Sequence, residues 1–92
     1  MAAGTAYIVF AGGGLILPAH TPYDRQVLRD HVLNHVRHKE VLRINVDRKT
    51  WLVDRSGERR KFVCEHCKRQ LTVAALHAPH SAICLCVSCA LR

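Results

Sequence analysis

The stretch VCEHCKRQLTVAALHAPHSAICLCVSC, Val63–Cys89, holds all five cysteines of a 92-residue chain. Five thiols are one more than a tetrahedral metal site takes and an awkward number for disulfides. Cys64 and Cys67 form one C-x-x-C pair, and Cys86 and Cys89 form a second eighteen residues further on. Each such pair brings two thiolates to an ion from a single tight turn, and two pairs supply a complete tetrahedron. The separation lies in the range read as a zinc ribbon. Cys64, Cys67, Cys86 and Cys89 are therefore ranked first as ligands of one structural Zn2+. Cys84 in place of Cys86 makes the second set. His77 and His80 with the first cysteine pair make the third, against which Pro79 counts, because it breaks the helix that such a histidine pair rides on.

Outward from this cluster, the rest of the chain has to supply a core. A chain this short has a modest apolar interior and usually leans on disulfides, a metal or a partner surface. Secreted disulfide scaffolds spread an even number of cysteines along the chain, whereas here all five fall in the last third. The distribution favours metal and a reducing compartment. TAYIVF and GLILPA read as short strands joined by AGGG, an N-terminal β-hairpin without a charged side chain. The glycines fit neither G-x-G-x-x-G nor a G-K-[ST] ending, so a phosphate loop is disfavoured. The apolar run is too short to cross a bilayer and has no basic segment before it, so the expected setting is intracellular, cytoplasmic or nucleoid-associated, without membrane contact.

HTPYDRQVLRDHVLNHVRHKE predicts a helix from Pro22 to about Lys39. Thr21 serves as N-cap, Pro22 as the first helical residue and Asp24 as the capping-box acid. Leu28, Val32, Leu33 and Val36 share its core-facing stripe. His31, His35 and His38 line up beside that stripe, with first place given to a partly solvated row over polar contacts or metal. Then VLRINVD, TWLVDR and RRKFVC read as three strands, the last two joined by a turn at SGE, with Trp51 and Val53 on one face. The fold class expected is α+β: one small domain with an N-terminal β-hairpin, one amphipathic helix, a second β-hairpin and a C-terminal zinc-ribbon-like site. Residues 1–63 form the α+β unit, and residues 64–92 the ribbon packed on it.

The formal charge is +7, with ten arginines against four lysines. The excess centres on the segment leading into the first cysteine pair: Arg43, Arg48, Lys49, Arg55, Arg59, Arg60, Lys61, Lys68 and Arg69. These suit phosphate or an acidic protein surface, and equally a solvated face that keeps a small protein soluble. Aromatic residues are few, so contact with nucleic acid would follow the backbone, not the bases.

CEHC, the following Leu71 and Leu76, then Ala78, Pro79 and Cys84 resemble the four-cysteine finger of the DksA/TraR family of RNA polymerase-binding regulators. The resemblance covers about a quarter of the chain, and Val87 stands where that family has its fourth cysteine. It implies RNA polymerase as one partner. The function expected is a zinc-stabilised accessory or regulatory protein that docks on nucleic-acid machinery: RNA polymerase, a nuclease or a ribonucleoprotein. The uncharged hairpin, which a chain this small has little room to bury, motivates docking. Direct, backbone-directed nucleic-acid binding is the alternative. An enzyme ranks last, because paired carboxylates, a nucleophile with its base and a cofactor loop are missing from the sequence; the one enzyme reading that survives is a metal-dependent nuclease using the helix histidines.

Overall fold

The computed structural model describes residues 4–55, 62–71 and 74–92. β1 (Thr5–Phe10), β2 (Gly13–Pro18), β3 (Val41–Val46), β4 (Lys49–Asp54) and β7 (Ala75–His77) form one antiparallel sheet in the order β2-β1-β3-β4-β7. α1 (Pro22–Arg37) follows β2, β5 (Phe62–Val63) pairs with β6 (Gln70–Leu71) in a separate ribbon, and α2 (Val87–Ala90) ends the described chain. The architecture is α+β, with two antiparallel hairpins, one long helix and a C-terminal four-cysteine cluster, as the sequence predicts.

Alternation sorts the sheet into two faces. Ala6, Ile8, Ile44 and Val46 point inward and share one buried cluster with Leu28, Val32 and Val36 of α1. Val41 and Leu76 extend it, and Val87 and Leu91 join it from the C-terminal end. Leu33, Trp51 and Val53 lie half-buried at its rim. On the opposite face β1 carries Tyr7 and Val9, β2 carries Ile16 and β3 carries Arg43 and Asn45. Ile16 is 65% exposed. The Asn45 Oδ1 is buried there without a hydrogen-bond partner.

Both ends of α1 are built from local chemistry. Thr21 accepts from the Asp24 backbone N–H at 3.0 Å, and the Asp24 carboxylate accepts from the Thr21 N–H at 3.1 Å, closing the capping box. At the far end the Lys39 N–H donates to Val36 O at 3.1 Å and the Glu40 N–H to His35 O at 3.3 Å. These are the two bonds of a Schellman motif, with Lys39 at φ 59° in the left-handed position glycine usually takes. Arg55 donates to the Val36 and Val41 carbonyls, adding a side-chain cap to the same end.

The second hairpin differs from the expected one. β4 turns back on β3 through Asp47 and Arg48, which have φ 50° and 63° and form a two-residue turn of the type that matches strand twist. The SGE turn expected at 56–58 lies outside the described residues. The strand after it, β5, pairs with β6 and not with β4. β4's second neighbour is β7, which begins twelve residues after the end of β5, because Leu76 brings an aliphatic side chain to the core while Phe62–Val63 leads into the cysteine turn.

Candidate metal centre

The turn between β5 and β6 is the first half of the centre. Cys64 N–H donates to Arg69 O at 2.9 Å, and Lys68 N–H donates to Cys64 O at 2.8 Å. The reversal puts Lys68 at φ 63° and points the Cys67 N–H at the Cys64 sulfur, 3.5 Å away. The second half is α2: Cys86 is its N-cap, Cys89 lies one turn on, and both sulfurs are delivered to one side. Val87 and Leu91, between and beyond them, are buried in the main core. Arg29 of α1 donates to Leu91 O at 3.1 Å, and Arg25 to Arg92 O at 3.4 Å. The Glu65 N–H, in turn, donates to Cys84 O at 2.9 Å, tying the first turn to the segment that enters α2.

These elements gather Cys64, Cys67, Cys86 and Cys89, with all four sulfurs within 4.8 Å of one another. Four thiolates about 2.3 Å from one zinc ion have sulfur–sulfur edges of about 3.8 Å. The Cys67 and Cys86 sulfurs are 3.8 Å apart. Both donor chemistry and spacing fit a metal ion held by four soft ligands. Cys84 is outside the group: its sulfur faces Ala82 O at 3.7 Å, and burial, then the Asp54 charge, push its thiol up. His77 is turned to Ala78 O at 2.9 Å, and the exposed His80 does not join the cluster either.

The thiols are held unequally. Burial opposes ionisation of Cys64, yet the backbone N–H groups of Cys67, Cys86 and His66 outweigh it and bring the thiol down to about 6. Burial, reinforced by the sulfurs of Cys86, Cys64 and Cys67, pushes Cys89 up to about 12. Burial also raises Cys86. Protein groups thus favour the thiolate at Cys64 and oppose it at Cys86 and Cys89, where a bound cation would supply the charge that lets them ionise.

His66, which spacing arguments passed over, sits beside the ligands. Its Nδ1 is 3.6 Å from the Cys89 sulfur and 3.4 Å from Arg92 Nη2. One ring nitrogen cannot accept from the guanidinium and donate to the sulfur at once, so the tautomer of His66 sets which contact it makes. Its position inside CEHC was the available signal.

The histidines of α1 are arranged otherwise. His35 is half-buried, edge-on to Phe10 with ring centroids 4.8 Å apart, and paired with Glu40 at 2.9 Å. His31 stacks on it at 6.2 Å.

The basic residues divide. Arg43, Arg48 and Lys49 are exposed on β3, the β3–β4 turn and the start of β4, while Lys68 and Arg69 are exposed on the cysteine turn. Arg55, expected among the contact cations, has its guanidinium committed to the end of α1. Arg59, Arg60 and Lys61 lie outside the described residues. A cleft of about 560 Å³ opens between α1 and the cysteine cluster, with Leu33, Leu71 and Val87 in its wall and Arg37, Arg69 and Arg92 from three separate segments around it. Among the described residues that line it, none is acidic. No helix of the described residues is long and apolar enough to cross a membrane.

Compared with known proteins, the chain matches no family model, no curated protein and no solved structure.

Proposed function

We propose that this chain is a zinc-stabilised accessory protein of nucleic-acid machinery, of the kind that serves an RNA polymerase, a nuclease or a ribonucleoprotein. In this reading Cys64, Cys67, Cys86 and Cys89 hold one Zn2+, whose part is to supply folding energy, because four protein thiolates fill a tetrahedral ion's coordination. The observation that carries the docking role is the convergence of Arg37, Arg69 and Arg92 on one cleft with no carboxylate among its described lining residues; Cys67, Cys86 and Cys89 line it too, so part of this positive charge offsets the four thiolates. Guanidinium forks pair with phosphate oxygens in a bidentate manner, and the apolar wall of Leu33, Leu71 and Val87 excludes water beside them. Contact is with the phosphate backbone of a nucleic acid already held by the larger machine.

Direct binding to free nucleic acid is the second reading, supported by the exposed Arg43, Arg48, Lys49 and Lys68. Untagged protein is purified and its zinc measured by native mass spectrometry before and after a chelator. Anisotropy titrations then compare free RNA and DNA with a polymerase–nucleic-acid complex, across a salt series. The accessory reading expects tighter binding to the complex, weakened at least tenfold by the triple substitution Arg37→Ala, Arg69→Ala, Arg92→Ala and steeply by salt. Equal binding to free nucleic acid selects the second reading. Failure to bind either at about 50 mM salt removes both, since counterion release makes phosphate contacts strongest there.

A further inference from the structure

We infer that the free edge of β2 is a self-association surface, at which two copies of the chain pair β2 against β2, antiparallel, around a two-fold axis at Ile16. The two edges of the sheet are finished differently. On the β7 side the strand is three residues long, and its outer flank is taken by Leu85, which exchanges two 2.8 Å hydrogen bonds with Leu76. On the other side β2 runs for six residues with β1 as its one neighbour among the described residues. Proteins usually protect such an edge with charge, proline, a bulge or a cover, and of these β2 has only Pro18, at its last position. β2 is GGLILP, and residues 1–20 carry no charged side chain at all.

The register says which backbone groups are free. Ala19 N–H donates to Gly4 O at 2.7 Å, so Ala19 and every second residue before it turn their backbone groups towards β1. Those residues are Leu17, Leu15 and Gly13. Gly14, Ile16 and Pro18 therefore turn theirs outward.

A two-fold axis through Ile16 uses that set except for the Gly14 carbonyl. Ile16 and its symmetry mate exchange two bonds, and each Gly14 N–H donates to the other copy's Pro18 carbonyl. Proline sits where its missing N–H costs one bond per half-site and leaves the carbonyl in place. The same register sets Leu15 opposite Leu17 of the second copy and Ile16 beside Ile16, apolar pairs that stabilise a ladder. Gly14 makes room for Tyr7, which lies across it where a Cβ would meet the phenol oxygen at 2.3 Å. The contact is isologous and closes at two copies. It also avoids the chain's +7 charge, because neutral segments meet neutral segments. A charged partner strand would find no counter-charge on this edge.

A six-residue edge is at the low end of interface size, so the dimer is expected to form with a dissociation constant on the order of 10–100 µM. Sedimentation of the zinc-loaded full chain should show the mass rising from 10.4 kDa towards twice that value as concentration increases. Amide exchange followed by NMR should slow at Gly14 and Ile16 over the same range, while Leu15, Leu17 and Ala19 stay protected throughout. Ile16→Lys, at an exposed site, opposes two like charges at the axis and should give a monomer with unchanged circular dichroism and zinc content. A monomer up to about 1 mM, a dimer that Ile16→Lys leaves intact, or protection that appears at another surface would each overturn the proposal. So would a dimer of wild-type chain in which Gly14 and Ile16 keep exchanging freely.

Discussion

The part of the molecule formed by α1 on β1–β4 and the part formed by β5, β6 and α2 reach order by different means. The first has strands of six residues and a sixteen-residue helix, with Ile8, Leu28, Val32, Val41 and Ile44 inaccessible to solvent. The second has strands of two residues and a helix of four, and Cys64 is a fully buried member of its cluster. Val87 and Leu91 reach the shared core from it, with Ala90 packed against them at the edge. Two-residue strands and a one-turn helix are not stable on their own. Apolar burial can hold the first part; the second needs its four sulfurs joined.

Removing the metal is the sharpest way to break this contrast. Structural zinc contributes about 10 kcal/mol or more to small cysteine-ligand domains. Chelation, or Cys86→Ser, should therefore disorder residues 62–71 and 84–92 while α1 and β1–β4 persist. Amide exchange resolved along the chain checks it: loss of protection confined to those segments is the expected pattern. Uniform protection without metal would mean that the cluster is dispensable.

The seam between the two parts comes next. Leu91 is fully buried, and its carbonyl accepts from Arg29. Leu91→Ala should cost about 2–4 kcal/mol by thermal or urea unfolding, the range for a buried leucine whose cavity closes only partly. Because Leu91 is two residues beyond Cys89, the variant should also release the metal proposed for the cluster to a competing chelator sooner. An equal loss of stability with unchanged zinc release would show that core and centre are uncoupled.

How far the sequence could be read follows the same division. The capping box at Thr21 and Asp24, the stripe of Leu28, Val32 and Val36, and the hairpin of β1 and β2 all rest on local rules and are found in place. The four sulfurs also converge as their spacing predicts. The route of the chain between the cysteine pairs was not legible. A three-residue strand such as Ala75–His77 has too few positions to show a period, and its partner β4 is more than twenty residues away. The role of Arg55 was hidden for a related reason: in sequence it is one cation among many, and only the folded path brings it to the end of α1. His66 and Arg92 likewise become neighbours only when both cysteine turns meet.

A smaller effect separates the parts by pH. The Arg25 guanidinium, as hydrogen-bond donor and as charge, holds Asp47 below its ordinary value against the opposing effect of burial. A carboxylate whose folded pKa is depressed stabilises the fold above its unfolded value of about 3.9, and that stabilisation is lost as pH falls through the folded value. Asp47→Asn should flatten the acid limb of the stability curve below about pH 4 without altering zinc stoichiometry at neutral pH. A wild-type acid limb in the variant would mean that the pair does not contribute.

The smallest change should stabilise the molecule. Arg48 occupies the second position of the β3–β4 turn at φ 63°, where a side chain is strained and glycine is not. Asp47, before it, is held by Arg25, so the turn keeps its anchor when Arg48 is replaced. Arg48→Gly should raise stability by about 0.5–1 kcal/mol, a net figure because glycine also gains freedom in the unfolded chain. The substitution also removes an exposed cation from the β3–β4 turn. Unfolding measured with and without zinc separates the two parts: the gain should be the same in both states, since the turn belongs to the part that apolar burial holds. A gain that vanishes on chelation would mean that the hairpin of β3 and β4 does not stand without the metal, and that the two parts are one cooperative unit.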